Sequence, residues 1–205
     1  MPKFDYRKID NVQKDVLQEV GNIGAGHAAT ALSQMIQGKI NMEIPTARLI
    51  RIENISDIVG GPDVIVTGIL ITLQGEVEGM MMFIMDEAST EQLIELILKS
   101  YNMIATDDKE LRDSTIKESG NIIAGSYLNA LSHLLNKRIE PSIPYLSVDM
   151  AGAILSVPAI EFGKVSDDAL IIETKFWKDQ NGVTGYFILI PTLESYDKIL
   201  TTLGL

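Results

Sequence analysis

The sequence contains no cysteine and only two histidines, His27 and His133. The missing thiols exclude disulfide scaffolds, thiolate zinc sites and cysteine nucleophiles, and two imidazoles argue against a bound transition metal. Basic residues are also scarce, because 17 Lys and Arg stand against 28 Asp and Glu, for a formal charge of −11. This balance disfavours nucleic acid and anionic membranes as partners, and leaves a protein or a small solute.

Long apolar runs are missing as well. No run approaches the roughly 20 residues that span a bilayer, and the N-terminal segment 1–7 lacks the apolar core of a signal peptide. We therefore expect a cytoplasmic protein with no membrane insertion. Hydrophobic residues nevertheless make up 46% of the 205 residues, which is ample for a buried core.

One segment of the chain occurs twice. Residues 15–45 match residues 114–144 without a gap, at a constant offset of 99 positions (118 − 19 = 99). The identical pairs are Glu19/Glu118, Gly21/Gly120, Asn22/Asn121, Ile23/Ile122, Ala25/Ala124, Gly26/Gly125, Ala31/Ala130, Leu32/Leu131, Ser33/Ser132, Ile40/Ile139, Ile44/Ile143 and Pro45/Pro144. Packing can explain the apolar pairs, but it does not require a shared Glu and Asn. The match predicts one domain over 1–205, built from repeats at 9–104 and 108–205.

Each repeat is predicted to hold a long helix, about three strands and a closing helix. In the first repeat the apolar spacing favours helices at 11–37 and 86–100, the latter capped by Ser89 or Thr90, and strands at 42–52, 64–74 and 77–85. In the second it favours helices at 109–136 and 193–203 and strands at 146–156, 166–177 and 183–190. Hairpin turns are predicted at 74–76 and, in the second repeat, at 179–182. The expected fold is α/β (α+β) with pseudo-twofold internal duplication, its mostly antiparallel strands joined into one sheet with the helices packed on it.

The repeated polar residues share one helix face. Residues three and four apart lie on the same side of a helix, so Asp15, Glu19 and Asn22 form a stripe that faces away from the apolar positions. Ser114, Glu118 and Asn121 form the same stripe in the second copy. A plain solvated surface is the alternative, but solvation does not specify residue type in two copies.

Glycines inside these helices also need a reason, because each costs about 1 kcal/mol relative to alanine. Gly26 and Gly125 lie on the stripes, where the loop of a partner could approach closely. Gly21 and Gly120 lie off the stripes and suit internal packing. The first copy lacks the strand and the G-x-G-x-x-G spacing of a dinucleotide site, so nucleotide binding is disfavoured.

The pattern Asp/Ser-x3-Glu-x2-Asn-x22-Pro resembles the signature of the CheC/CheX/FliY phosphatases of bacterial chemotaxis. It is filled once by Asp15, Glu19, Asn22 and Pro45 and again by Ser114, Glu118, Asn121 and Pro144. Two copies with no additional domain are most similar to the CheC members. The resemblance implies a hydrolase that acts on the phosphoaspartate of the response regulator CheY. It also implies a second partner, the receptor deamidase CheD, which such proteins bind and restrain.

The resemblance further implies that each Glu and Asn enters the active site of the regulator. Because the regulator supplies Mg²⁺ and a Lys, no cofactor of the chain's own is expected. Asn22 and Asn121 are then the groups that orient water, and Glu19 and Glu118 the groups that pair with that Lys. Asp15, Ser114, Gly26 and Gly125 are expected to contact the regulator. The two copies can differ in activity, because Asp15 and Ser114 are different side chains.

The segment after Pro144 differs from its counterpart in the first copy. It is rich in small residues beside an Asp, at Asp149, Ala151 and Gly152, where the first copy is bulky and charged. A short helix or strand edge of this kind could enter the cleft of CheD as a decoy of a receptor helix. Tighter internal packing is the alternative explanation.

A second function class stays open at this point. The chain could be a binding module of the flagellar-switch kind that docks CheY or CheD without hydrolysis. Intact Glu and Asn in both copies favour the enzyme.

Overall fold

The structure, a computed structural model, describes residues 11–43, 46–103, 108–162, 168–178 and 181–204. Its helices are α1 (Asn11–Met35), α2 (Glu87–Ser100), α3 (Lys109–Leu135), α4 (Ala151–Phe162) and α5 (Leu193–Thr202), with a 3₁₀ helix at Ile52–Val59. Its strands are β1 (Asn41–Met42), β2 (Thr46–Arg51), β3 (Ile65–Gly75), β4 (Gly79–Asp86), β5 (Ile139–Pro141), β6 (Tyr145–Met150), β7 (Asp168–Lys178) and β8 (Asn181–Pro191).

The strands of the described residues form one antiparallel sheet in the order β1-β7-β8-β4-β3-β5. Strand β2 continues the β1 edge by pairing with β7, and β6 continues the β5 edge by pairing with β3. The two hairpins, β3–β4 and β7–β8, meet in the middle, where Phe83 lies opposite Phe187. Their rings stack with centroids 4.7 Å apart, so the centre of the sheet joins the two halves of the chain.

The outer strands of the sheet are exchanged between the two halves. Strands β1 and β2, from the first half, pair with β7 from the second. Strands β5 and β6, from the second half, pair with β3 from the first. Each hairpin is therefore completed by strands that the other half supplies.

Helices cover both faces of the sheet. On one face α1, α2, α3 and α5 enclose the larger core, which includes Leu32, Phe83 and Tyr127. On the other face the 3₁₀ helix and α4 cover a smaller cluster that includes Met82 and Ile154. Adjacent residues of a strand point to opposite faces, which is why Met82 and Phe83 belong to different clusters. Burial on both faces also explains why β4 is apolar along nearly its whole length.

The predicted α+β fold with a single antiparallel sheet is confirmed. The division into two repeats stays a prediction, although helices and strands follow one another in the same order in both halves. Two local predictions are wrong. Helix α2 is capped by Asp86, whose carboxylate accepts a hydrogen bond from the backbone N–H of Ser89 at 2.7 Å, and the strand predicted at 146–156 ends at Met150, after which α4 begins.

Candidate functional site

The two motif helices, α1 and α3, pack against each other on the same face of the sheet. Gly24 of α1 makes this close packing possible, because a Cβ atom there would lie 2.5 Å from the ring of Tyr127 on α3. That ring is fully buried and stacks on Phe187 with centroids 5.2 Å apart. The helix pair is thereby fixed to the sheet.

Most of the predicted stripe lies on the outside of this helix pair. Asp15 and Glu19 are exposed on α1. On α3 the exposed members are Ser114, Glu118 and Asn121. The helical spacing thus predicted the outward face correctly for these five side chains.

Asn22 differs from its counterpart Asn121. It is only half exposed, and its side-chain oxygen Oδ1 is buried with no hydrogen-bond partner among the described residues. A buried amide oxygen without a hydrogen-bond partner lowers the free energy of unfolding, so the burial of Asn22 Oδ1 requires an explanation. This difference could not be predicted from the motifs, since both have the same Glu-x-x-Asn spacing.

The glycines separate into two groups, as the spacing predicted. A Cβ atom added to Gly26 or Gly125 would meet no atom within 4 Å among the described residues. A Cβ atom on Gly120 would instead collide with the side chain of Ile69 on β3. Gly120 therefore serves internal packing. Gly26 and Gly125 leave free space on the helix surface one turn after Asn22 and Asn121. Their contact with a partner stays a prediction.

Gly24 and Tyr127 were not identified from the sequence. A signal was present, however, because the two copies differ at both positions in a compensating way. Gly24 aligns with Ile123, and Ala28 aligns with Tyr127 (127 − 28 = 99). A smaller residue on α1 thus accompanies a larger one on α3. The hydroxyl of Tyr127 has no partner in the described part of the chain, and burial raises the pKa of this phenol above its usual value.

The second predicted contact region lies on the opposite face of the sheet. Asp149, at the end of β6, is exposed, and its carboxylate accepts the backbone N–H of Met150 at 2.8 Å. It stands on the wall of a groove of about 270 Å³ between β6 and α4, which Tyr145 and Val157 also line. Its environment is open to a partner.

Internal packing accounts for the other two residues of that region. Ala151 is fully buried, and its N–H donates to the carbonyl of Val64 at 2.8 Å. Gly152 donates to the carbonyl of Pro62 at 2.8 Å, and a Cβ atom on it would lie 3.1 Å from the Cβ of Pro62. Small residues are therefore needed here for the fold itself.

No group of three or more His, Cys, Asp or Glu side chains that could hold a metal ion occurs in the described ranges. Among the same residues, no helix has the length and apolar character needed to cross a membrane.

Comparison with known proteins identifies the family. The chain is 36% identical over 203 residues, 97% of its own length and 97% of the other, to the CheY-P phosphatase CheC of Bacillus subtilis. The chain belongs to the CheC-like family. The model of this family matches it at two places, 12–47 and 111–148. These CheC-like segments contain both Glu-x-x-Asn motifs and end before Asp149.

Solved structures share the CheC-like fold. FliY of Thermotoga maritima superposes with a TM-score of 0.75 at 21% identity, covering 96% of this chain and 98% of that one. A chain of the CheX-CheY-BeF3-Mg²⁺ complex of Borrelia burgdorferi superposes with a TM-score of 0.51 at 16% identity, covering 90% and 99%.

Proposed function

We propose that this protein is a cytoplasmic phosphatase that removes the phosphoryl group from the aspartate of a CheY-type response regulator. The observation that carries the proposal is the same Glu and Asn pair on two packed helices, outward-facing except for the half-buried Asn22, in a member of the CheC-like family. The B. subtilis relative is named a CheY-P phosphatase. In the complex from Borrelia burgdorferi, CheX is bound together with CheY.

The chemistry requires little from this chain except placement. An acyl phosphate in a regulator already has its Mg²⁺ and Lys in position, so positioning a water in line with the P–O bond limits hydrolysis. A carboxamide can accept a hydrogen bond from that water and donate one to the phosphoryl group, without adding repulsive charge. Asn22 and Asn121 take this role, and the protein needs no metal or cofactor of its own.

The remaining motif residues hold the regulator in place. Glu19 and Glu118 stand one helical turn before the amides and are exposed, so each can pair with the Lys of the regulator. Asp15 and Ser114, another turn earlier, can hydrogen-bond to a loop of the regulator. The open positions at Gly26 and Gly125 let that loop approach the helix backbone.

The decisive experiment follows the loss of phosphate from phosphorylated CheY. We expect the wild-type protein to accelerate it and the double variant Asn22→Ala/Asn121→Ala to lose about 100-fold in rate, the usual effect of removing an oriented amide. Asn54→Ala, an exposed asparagine on the opposite face of the sheet, is the matched control and should keep full activity. A wild-type protein without effect would refute the phosphatase, and a fully active double variant would refute the amide mechanism.

The receptor deamidase CheD is the second partner of this proposal. Asp149 and the groove between β6 and α4 supply a charge beside an apolar cleft on a face remote from the motif helices. We expect Asp149→Lys to abolish CheD binding, measured by isothermal titration, while CheY dephosphorylation stays normal. Asp57→Lys, on the 3₁₀ helix of the first half, is the control. Unchanged affinity of Asp149→Lys for CheD would remove this site.

A further inference from the structure

The two motif asparagines are not in equivalent environments. Asn121 is exposed, whereas Asn22 is half-buried and its Oδ1 is enclosed without a hydrogen-bond partner among the described residues. The preceding glutamates do not differ in this way, since Glu19 and Glu118 are both exposed. The difference in exposure is therefore confined to the asparagine, the residue proposed to orient water.

The buried atom is the one on which the chemistry depends. A carboxamide accepts hydrogen bonds only through its oxygen, while its NH₂ group only donates. With Oδ1 enclosed, Asn22 retains at most the donor NH₂ group, which can donate a hydrogen bond to a phosphoryl oxygen but cannot accept one from the attacking water. Asn121 presents both ends. Asn22 must rotate before it can perform the complete task.

The contact between the two motif helices is also asymmetric. Two residues after Asn22, Gly24 lets the ring of Tyr127 lie directly against α1. The corresponding positions near Asn121 are Ile123 on its own helix and Ala28 on the facing one (22 + 99 = 121, 28 + 99 = 127). Ala28 is too small to cover the neighbouring helix as Tyr127 does. Asn22 lies about 200° around α1 from Gly24, so the ring of Tyr127 does not itself cover Asn22.

We propose, on the basis of the function proposed above, that the two sites are unequal and that the α3 site carries most of the hydrolysis. The α1 site reacts only in the fraction of molecules in which the side chain of Asn22 has rotated so that its Oδ1 reaches solvent. Asn22 is thus a gated copy of Asn121. The regulator binds at either stripe, because the residues that hold it are exposed on both.

The kinetic test compares the single variants on phosphorylated CheY, with kcat and KM determined separately. Asn121→Ala should leave about a tenth of the wild-type kcat, because the remaining turnover comes from the slower α1 site. Asn22→Ala should keep more than half of kcat. In both variants KM should change by less than the tenfold fall in kcat expected for Asn121→Ala. The proposal is overturned if Asn22→Ala loses as much kcat as Asn121→Ala, or more.

A second test does not depend on phosphatase activity. It relies on the absence of cysteine from the chain, so that a single introduced thiol can be followed. Asn22→Cys and Asn121→Cys each carry the only thiol of the chain, so the rate of modification by a thiol reagent such as DTNB reports the exposure of each position. The thiol at position 121 should react several times faster. Glu19→Cys and Glu118→Cys, both at exposed positions, should react at similar rates and correct for local charge.

These outcomes separate the two proposals. Equal reactivity at positions 22 and 121, with matched rates at 19 and 118, would overturn the gated site even if the protein is a phosphatase. Faster reaction at position 121 together with a wild-type protein that leaves CheY phosphorylated would instead refute the proposed function, and with it any difference in turnover.

Discussion

Gly24 and Gly26 are two residues apart on α1, but they have opposite surroundings. A side chain on Gly24 would collide with the ring of Tyr127, whereas one on Gly26 would meet no atom within 4 Å of the described residues. The first glycine is therefore required by the fold, and the second is free for contact with a partner. Substitutions at these two glycines can therefore separate an effect on stability, at Gly24, from an effect on partner binding, at Gly26.

We expect Gly24→Ala to lower the free energy of unfolding by about 1–3 kcal/mol, the usual cost of overpacking a tight interior. Gly26→Ala should leave stability unchanged or raise it by up to about 1 kcal/mol, because alanine is the better helix former. Urea unfolding followed by circular dichroism measures both. A Gly24→Ala variant as stable as Gly26→Ala would contradict the packing described here.

The same substitution at Gly26 should weaken dephosphorylation of CheY through a higher KM, since the added methyl group stands where a loop of the regulator is expected. Gly182→Ala is a suitable control, because Gly182 is exposed with equal room for a Cβ atom and lies on β8. An unchanged KM for Gly26→Ala would show that the partner does not approach the surface of α1 at Gly26.

Individual residues show how far the site could be predicted from sequence. The stripe followed from the 3.6-residue period, because that period alone decides which side chains share a face. The partial burial of Asn22 did not follow, because burial of a single side chain depends on the tertiary structure around it, while Asn121 has the same motif and is exposed. The paired differences at 24/123 and 28/127 carried a trace of the contact between Gly24 and Tyr127 only.

At the scale of elements, α4 shows where local patterns fail. Its sequence, AGAILSVPAIEF, is a short apolar run that periodicity cannot assign to a buried strand or a buried helix. Tertiary structure decides the question. The N–H groups of Ala151 and Gly152 bond to carbonyls of the turn before β3, at Val64 and Pro62, which ends the strand and starts the helix. The hairpin turns carried stronger signals, and both hairpins were predicted.

The turn between β3 and β4 is tied to the chain after α3 by Glu76. Its carboxylate accepts the backbone N–H of Arg138 at 2.9 Å and lies 3.3 Å from the ammonium group of Lys137. The Arg138 hydrogen bond, followed by the hydrogen bond from Lys137, lowers the pKa of Glu76 below its ordinary value of 4.5. One exposed side chain therefore connects the two halves of the molecule.

A lowered folded-state pKa fixes the direction of the pH effect. The link stabilises the fold fully above about pH 4.5, the ordinary value, and its contribution disappears as the pH falls through the folded pKa. We expect Glu76→Gln to lower the urea midpoint at pH 7 and to approach wild type as the solution is acidified. Salt should reduce the difference, because the group is exposed. An equal difference at pH 7 and pH 3 would contradict this role.

On the scale of the whole molecule, the exchange of outer strands makes the halves interdependent. Strand β7 needs β1 and β2 from the first half, and β3 needs β5 and β6 from the second. Sequence could predict the two hairpins and the single sheet, because these follow from local turns and shared apolar faces. It could not predict which half supplies the edges, because repeats of similar sequence present similar strands.

We expect fragments 1–103 and 108–205 to be poorly folded when each is alone and to recover the native circular dichroism spectrum when mixed in equal amounts. Each fragment by itself leaves the outer edge of its hairpin unpaired. Analytical ultracentrifugation should show a one-to-one complex. A monomeric fragment with a cooperative thermal transition of its own would contradict the interlocked arrangement.

The exchange of strands also has a consequence for biosynthesis. As the nascent chain leaves the ribosome, β1 and β2 emerge long before β7, and β3 emerges before β5 and β6. The growing polypeptide therefore carries exposed strand edges until translation is almost finished, and such edges readily pair with other chains. A truncated translation product would be prone to aggregation, and during synthesis the first half is a natural client for chaperones.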